Sequence, residues 1–414
     1  MSYAADLHLH SSYARATSPS LDLPLMARWA SIKGIDLIAS ADFTHPAWLD
    51  RLERGLVPTG GDIYELAPRL QPDADAWPPP KFILGTEVSC IYPQGGRSHR
   101  VHLLVFAPNF DVVHKLCVAF AAHGSLTADG RPMLKLSSHD VLATALSIDD
   151  RCEVIPAHAW TPWYSVYGSK GGFDSLEDCF GDLVGEIHAV ETGLSSDPSM
   201  NWRVPELDGV SLVSFSDAHS AQRMGREFTV FAGEPTYDSF RQALVDGAID
   251  HTVEFFPEEG KYHYDGHRKC GVCQHPAVTL ERGDRCPVCG RTLTVGVLNR
   301  IESLSRRPDT VQQSESGLFV DPTGRRPPFR RLVPLDEVIA HALGRGPSTK
   351  GVRAVYDQLM ANVGTESHVL QHATLDAIVA IAEESVALGV IAAREGRVTI
   401  EPGYDGVYGT VRSA

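Results

Sequence analysis

The sequence predicts an α/β fold, a parallel sheet or β/α barrel, over residues 1–258. A compact cysteine-rich module follows over 259–300, and a basic linker with a mainly helical C-terminal domain over 301–414. Three observations predict this. Short apolar runs alternate with helix-like stretches through the first 255 residues, the pattern of strands joined by crossover helices. His, Asp or Glu recurs near the C-terminal ends of those runs, the ends that converge on one face of a barrel. Four cysteines then fall in two pairs within twenty residues.

The first run, "ADLHLH", places His8 and His10 at alternate positions, on one face of a strand and roughly 6–7 Å apart. "LPLMARWASIKG" reads as a helix ended by Gly34. "IDLIASAD" ends near Asp42, "KFILGTEVS" carries Glu87, and "EVIPAHAW" leads to His158. "EIHAVETG" is a further strand, and "VSLVSFSDAH" ends in Asp217 and His219. "RVHLLVFA" is the exception, with His102 near its start. So many metal-capable side chains placed alike imply a metal cluster at one end of the fold.

Composition bounds the function. No run approaches the roughly 20 apolar residues needed to cross a bilayer. The first ten residues have neither the basic nor the apolar part of a signal peptide, so the expectation is a cytoplasmic protein of prokaryotic, nucleoid-associated type with no membrane partner. Cys90, Cys117, Cys152 and Cys179 are scattered, which is not a disulfide framework. The net charge of −15 argues against a polyanionic partner until its distribution is considered. Residues 261–350 hold 15 basic and 9 acidic groups, and the rest of the chain holds 22 and 43. A basic segment on an acidic body suits a protein that guides a polyanion to a cation-filled site, and equally an ordinary solvated face.

"DLHLHS", "ADFTH", "GTEVS", "PAHAW" and "SDAHS" together resemble the motifs of the polymerase and histidinol phosphatase (PHP) superfamily. That resemblance implies a metal-dependent phosphoesterase on a distorted seven-stranded (β/α) barrel. It implies His8 and His10 as ligands, Glu87 as a carboxylate bridging two ions, His102 and His158 on the second ion, and Asp217 and His219 from the last motif. Two positions depart from the superfamily pattern. Arg15 stands where relatives often carry Asp or His, and Asp42 is separated from His45 by two residues. Both bear on the third ion of the usual site, so two divalent ions (Zn, Mn or Mg) are expected, with three, as in relatives, the alternative. Asp42 and His45 are retained as candidate ligands, and Arg15 as a group that holds a phosphate where relatives hold the third metal.

Cys270, Cys273, Cys286 and Cys289 have the spacing C-x2-C-x12-C-x2-C, two knuckles able to close one tetrahedral structural zinc site. The segment "SRRPDTVQQSESGLFVDPTGRRPPFRRL" reads as a linker or extended stretch, and Arg325, Arg326, Arg330 and Arg331 are its candidate phosphate contacts. "DAIVAIAEESVALGVIAAREG" reads as one packed helix and "VTIEPGYDGVYGTV" as a hairpin-like end.

PHP motifs, a four-cysteine module and a helical tail in this order resemble the endonuclease Q family. "HSSYARATS", "DFTHPAWL", "ETGLSSDPSMNWR", "GKYHYDGHRKC" and "RPPFRRL" carry the resemblance across the chain. It implies a DNA-repair endonuclease that cuts the phosphodiester 5′ to uracil, hypoxanthine, xanthine or an abasic site, using Glu87, Asp217 and His219. Asp197, in "LSSDP", reads as a base or metal ligand, or as a turn former. Trp160, Trp163, Tyr164 and Trp202 are candidates for a base pocket or for core packing. Three alternatives stay open: a phosphatase for a small phosphate ester, a nuclease without lesion specificity, and a non-catalytic DNA-binding protein.

Overall fold

The computed structural model describes residues 2–71 and 77–413. The strands that position the site begin with β1 (Ser2–Asp6), β2 (Leu37–Ala39), β3 (Lys81–Gln94), β4 (Arg97–Ala107) and β5 (Glu153–Pro156); the short strands Leu56–Gly60, Ile63–Leu66 and Met133–Leu134 lie between them in the chain. β1 pairs with β2 and β2 with β3, both parallel. Between β1 and β2 runs α1 (Leu23–Lys33), capped by the Asp22 carboxylate on the Leu25 N–H and ended by Gly34 at φ 80°, as the sequence predicts.

β3 and β4 form a long antiparallel hairpin from Leu84↔Ala107 to Gln94↔Arg97. The turn needs positive φ, and Gly95 and Gly96 take it at 57° and 76°. β4 then pairs antiparallel with β5. β6 (Ala189–Glu191) and β7 (Ser211–Val213) pair in parallel, and beyond them a bridge between Leu9 and Ala218 lays the segment after β1 beside the segment after β7. The antiparallel course of β4 explains the exceptional position of His102. The start of β4 lies beside the end of β3, with His102 opposite Ser89, so a residue early in its run reaches the same face as Glu87.

On the other side of β1, β8 (Phe228–Ala232) and β9 (Ile249–Glu254) extend the sheet antiparallel. Of the two readings of the arginine-rich stretch, linker or extended, the extended one holds. The stretch supplies β10 (Gln312–Gln313), β11 (Leu318–Val320) and β12 (Phe329–Arg331), and β12 pairs parallel with β9. The largest sheet holds thirteen strands among the described residues. Phe329 is fully buried and stacks on Phe319 at 4.9 Å, which anchors a segment whose polar, Pro-rich composition conceals its strands.

The C-terminal region is helical at Leu335–Ala342, Lys350–Asn362 and Glu366–Gln371. The single helix expected after Thr374 is two, Leu375–Val379 and Glu384–Arg394. The first ends in local bonds from Ala380 and Ala382 to Asp376 and Ile378, and Glu384 starts the second where the helix dipole favours an acid. A buried pair, Lys33 Nζ to Glu366 Oε2 at 2.6 Å, ties α1 to these helices. The chain closes with the hairpin Val398–Glu401 and Thr410–Ser413, as expected. No helix among the described residues is long and apolar enough to cross a membrane.

Candidate metal centre and active site

β1 ends at Asp6, yet the bridge at Leu9 keeps the next residues extended, so His8 and His10 still share a face, with rings 5.4 Å apart. The same bridge delivers Asp217. His8 Nε2 and His10 Nε2 lie 3.5 and 3.2 Å from Asp217 Oδ1. Glu87, with its side chain fully buried, sits between two imidazole pairs. Its Oε2 faces His10 Nε2 at 3.2 Å and His8 Nε2 at 3.5 Å, and its Oε1 faces His102 Nδ1 at 2.6 Å and His158 Nε2 at 3.2 Å. Ligand atoms of His8, His10 and Asp217, and separately of Glu87, His102 and His158, lie within 4.8 Å of one another. Backbone strain marks the same place. Asp42, His158 and Asp217 have φ of 32°, 31° and 46°, a region that residues with side chains rarely occupy.

The donor set fits divalent cations. His8 Nε2 is buried without a hydrogen-bond partner among the described residues, while its Nδ1–H donates to Glu191 at 2.9 Å. That is the arrangement of a ligating histidine whose far nitrogen is fixed by a carboxylate. Burial, against the pull of Glu87, pushes His102 down to about 4, leaving a neutral imidazole. Burial opposes ionisation of Glu87 and Asp217, but the imidazoles and the Arg131 guanidinium around them prevail. His102, Arg131 and His8 hold Glu87 well below the usual carboxylate range, and His8 and His10 do the same for Asp217.

Three further candidates lie around this core. Asp42 does not join either ligand group. Its Oδ1 accepts from His10 Nδ1 at 3.1 Å and its Oδ2 from the Ser11 N–H and hydroxyl at 2.6 Å, so one oxygen orients His10 and the other is taken by Ser11. His45 is also outside the groups, because the turn after Asp42 carries it to the start of helix Pro46–Gly55, where it stacks on Tyr13 at 4.3 Å. His219 sits at the rim, its ring 4.4 Å from that of His10 and its Nδ1 3.0 Å from the Asp217 carbonyl.

Other candidates lie elsewhere. Asp197 is fully buried, caps the helix Pro198–Asn201 and binds Arg331, which removes it from the metal face. Arg331 is therefore committed to that pair, and Arg326 to Asp208 at 2.7 Å, over the ring of Trp202. Arg330 donates to the Ser316 carbonyl at 2.6 Å. Arg325 is exposed. Arg15 is exposed, and its backbone N–H binds Asp129 at 3.1 Å. Of the aromatic candidates, Trp160 is core, stacked on Tyr167, and Trp202 is buried. Tyr164 lies 4.7 Å from His102, and Trp163 is 37% exposed, edge-on to Tyr262.

Two residues at the centre escaped sequence reading. Glu191 ends a predicted strand, and the strand-end rule that selected Glu87 selects it too. Arg131, whose Nη1 lies 2.8 Å from Glu87 Oε2, carries no motif.

In the cysteine module, Cys270, Cys286 and Cys289 meet His267 rather than Cys273. His267 Nδ1 is 3.4 Å from Cys289 Sγ. The hairpin Asp265–His267 with Val272–Gln274 explains the exchange. His267 pairs with Val272 and Gly266 with Cys273, so His267 and Cys273 point to opposite faces. Three thiols and an imidazole also make a closed tetrahedral zinc set.

The fold superposes on the crystal structure of the lesion-specific endonuclease PfuEndoQ from Pyrococcus furiosus with a TM-score of 0.83 and 30% identity, over 100% of this chain and 95% of that one. The chain belongs to the endonuclease Q family. A structure of endonuclease Q in complex with a 27-mer duplex substrate with an abasic lesion at the active site matches with a TM-score of 0.82 and 30% identity, over 100% of this chain and 97% of that one. Residues 334–397 match the family model of the MJ0043 C-terminal domain. The uncharacterized protein MJ0043 of Methanocaldococcus jannaschii is 33% identical over 266 residues, 61% of this chain; the match spans 31% of that longer protein. The likeness to endonuclease Q thus extends beyond the metal-bearing unit to the module and helices behind it.

Proposed function

We propose that this chain is a metal-dependent endodeoxyribonuclease that hydrolyses the phosphodiester on the 5′ side of deaminated or abasic nucleotides in DNA. The observation that carries the reading is Glu87, whose two oxygens face two separate imidazole pairs, the geometry of a carboxylate shared by two ions. His8, His10 and Asp217 would hold one ion and His102 and His158 the other. Bound divalent ions polarise the phosphoryl oxygens, acidify an attacking water and stabilise the leaving 3′ oxygen. The chain supplies the rest. Glu191 and Asp42 fix the tautomers of His8 and His10. With the Asp217 carbonyl engaging its Nδ1, His219 has Nε2 available to pass a proton to the leaving oxygen.

Three parts share the work in this reading. Residues 1–258 form the catalytic unit, read as a distorted seven-stranded (β/α) barrel, and the Leu9–Ala218 bridge, which brings the segment carrying His8 and His10 beside the one carrying Asp217, supports that reading. Residues 259–300 form a zinc-stabilised module, and 301–414 hold the basic edge strands and the helical domain. Damaged DNA is the partner, with the cytoplasm as its setting. The abasic-lesion duplex of the similar complex supports that substrate class.

The test is incubation with end-labelled duplexes bearing one uracil, hypoxanthine, xanthine or abasic site, with Mg²⁺ or Mn²⁺ and with EDTA. Metal-dependent nicking 5′ to the lesion, with undamaged duplex left whole, is expected. Hydrolysis of p-nitrophenyl phosphate without nicking would make the protein a small-ester phosphatase.

A further inference from the structure

We propose that Arg131 is the residue that grips the scissile phosphate, donating to a non-bridging oxygen at the metal face; this rests on the nuclease reading above. Arg131 places Nη1 2.8 Å from Glu87 Oε2, and its side chain remains 23% exposed. The guanidinium therefore has one edge in the ligand cluster and another toward the open face. An arginine carries five donors in a planar fork matched to phosphate oxygens. Among the described residues the Glu87 contact is the one side-chain hydrogen bond that Arg131 makes. Glu87 already lies within 3.5 Å of four imidazole nitrogens, so a structural role alone leaves the remaining donors without a purpose. The surrounding carboxylates repel a phosphodiester, and a fixed guanidinium beside them offsets that repulsion.

The loop is built to hold this arginine still. The Asp129 carboxylate accepts the backbone N–H of both Arg15 and Arg131. The Gly130 N–H donates to the Tyr13 carbonyl at 3.0 Å, and the Gly130 carbonyl accepts from the Thr44 hydroxyl at 3.3 Å. A Cβ on Gly130 would stand 2.4 Å from Asp42 Oδ2, so only glycine lets the loop press against the second motif. The backbone before Arg131 is thus pinned to the segments after β1 and after β2, which carry His10 and Asp42. A guanidinium aimed in advance loses less freedom on binding.

The experiment compares the full chain with Arg131→Ala and Arg131→Lys. Metal content, melting temperature, DNA binding in EDTA and in Ca²⁺, and orthophosphate competition are measured. Arg131→Ala should bind lesion duplex 10-fold or more weakly, with a log–log salt slope smaller by about 0.9, and lose orthophosphate competition at parental metal content. Arg131→Lys should keep the slope yet nick more slowly, because a point charge lacks the fork. Parental affinity and slope in Arg131→Ala, or loss of metal as its sole defect, would overturn the proposal and leave Arg131 a partner of Glu87 only. If the parent nicks no lesion duplex but orthophosphate binding still depends on Arg131, the nuclease reading fails and the phosphate grip stands.

Discussion

Arg331 donates from both Nε (2.8 Å) and Nη2 to a single oxygen of Asp197, joining residues 134 apart in the chain. Asp197 is fully buried, and the guanidinium is also 3.8 Å from Glu258 and 4.9 Å from the ring of Phe319. The pair stitches the arginine-rich edge strands to the helix Pro198–Asn201 that Asp197 caps. Removing one partner leaves a buried charge alone, so Arg331→Ala should cost roughly 3–5 kcal/mol in denaturant unfolding. Its salt slope for DNA binding should stay parental, whereas Arg325→Ala should lower the slope and leave stability unchanged. A stable Arg331→Ala protein with a flattened slope would contradict this assignment.

Zinc analysis separates His267 from Cys273. Because His267 meets the other three thiols, His267→Ala, Cys270→Ser and Cys286→Ser should each lose zinc and lower the melting temperature, since metal binding here is coupled to folding. Cys273→Ser should retain both. Loss of zinc from Cys273→Ser, with His267→Ala intact, would restore a four-cysteine site.

Acidity should stabilise part of the core. Burial pushes the Glu254 carboxyl, ringed by the hydroxyls of Ser214, Thr252 and Thr192, up to about 8 from 4.5. A raised folded value means that its contribution is fully present below pH 4.5 and lost as the pH rises through about 8. Glu254→Gln should therefore flatten the fall in melting temperature between about pH 5 and 9. Buried Glu227, also raised, keeps a residual slope. An unchanged pH profile in the variant would refute the assignment.

Trp163 and Trp160 should behave oppositely. Trp163 is exposed on the loop that leaves His158, so Trp163→Ala should weaken lesion-duplex binding by roughly 1–3 kcal/mol, as loss of a base-stacking ring does. Its melting temperature should hold. Trp160→Ala removes core packing and should cost roughly 3–5 kcal/mol of stability. Equal DNA binding by Trp163→Ala and the parent would remove Trp163 from the interface.

The cluster of candidate ligands is legible in the sequence because parallel strands bring their ends together, which turns scattered His8, Glu87, His158 and Asp217 into one face. His102 broke the rule only because β4 runs antiparallel. What stayed hidden depends on contacts that no local pattern encodes. Residue type alone points to Asp42 as a ligand, but Ser11 and His10 consume its oxygens. Arg131 comes from a loop whose position is set by Gly130 packing on Asp42. The edge strands are two or three residues long and rich in Pro and Arg, below what alternation can reveal. The cysteine spacing pointed to the module, while the hairpin register, which sends Cys273 to the far face, appears only in the structure.

The most direct measurement is single-turnover nicking of a duplex bearing one abasic site or deoxyuridine, comparing the parent with Glu87→Gln at equal melting temperature. Both oxygens of Glu87 face imidazole pairs, so losing its charge should abolish metal-dependent cleavage while the protein stays folded. The parent should give one product, cut 5′ to the lesion, and nothing in EDTA. Cleavage by Glu87→Gln at the parental rate would contradict the shared-carboxylate centre on which the whole account rests.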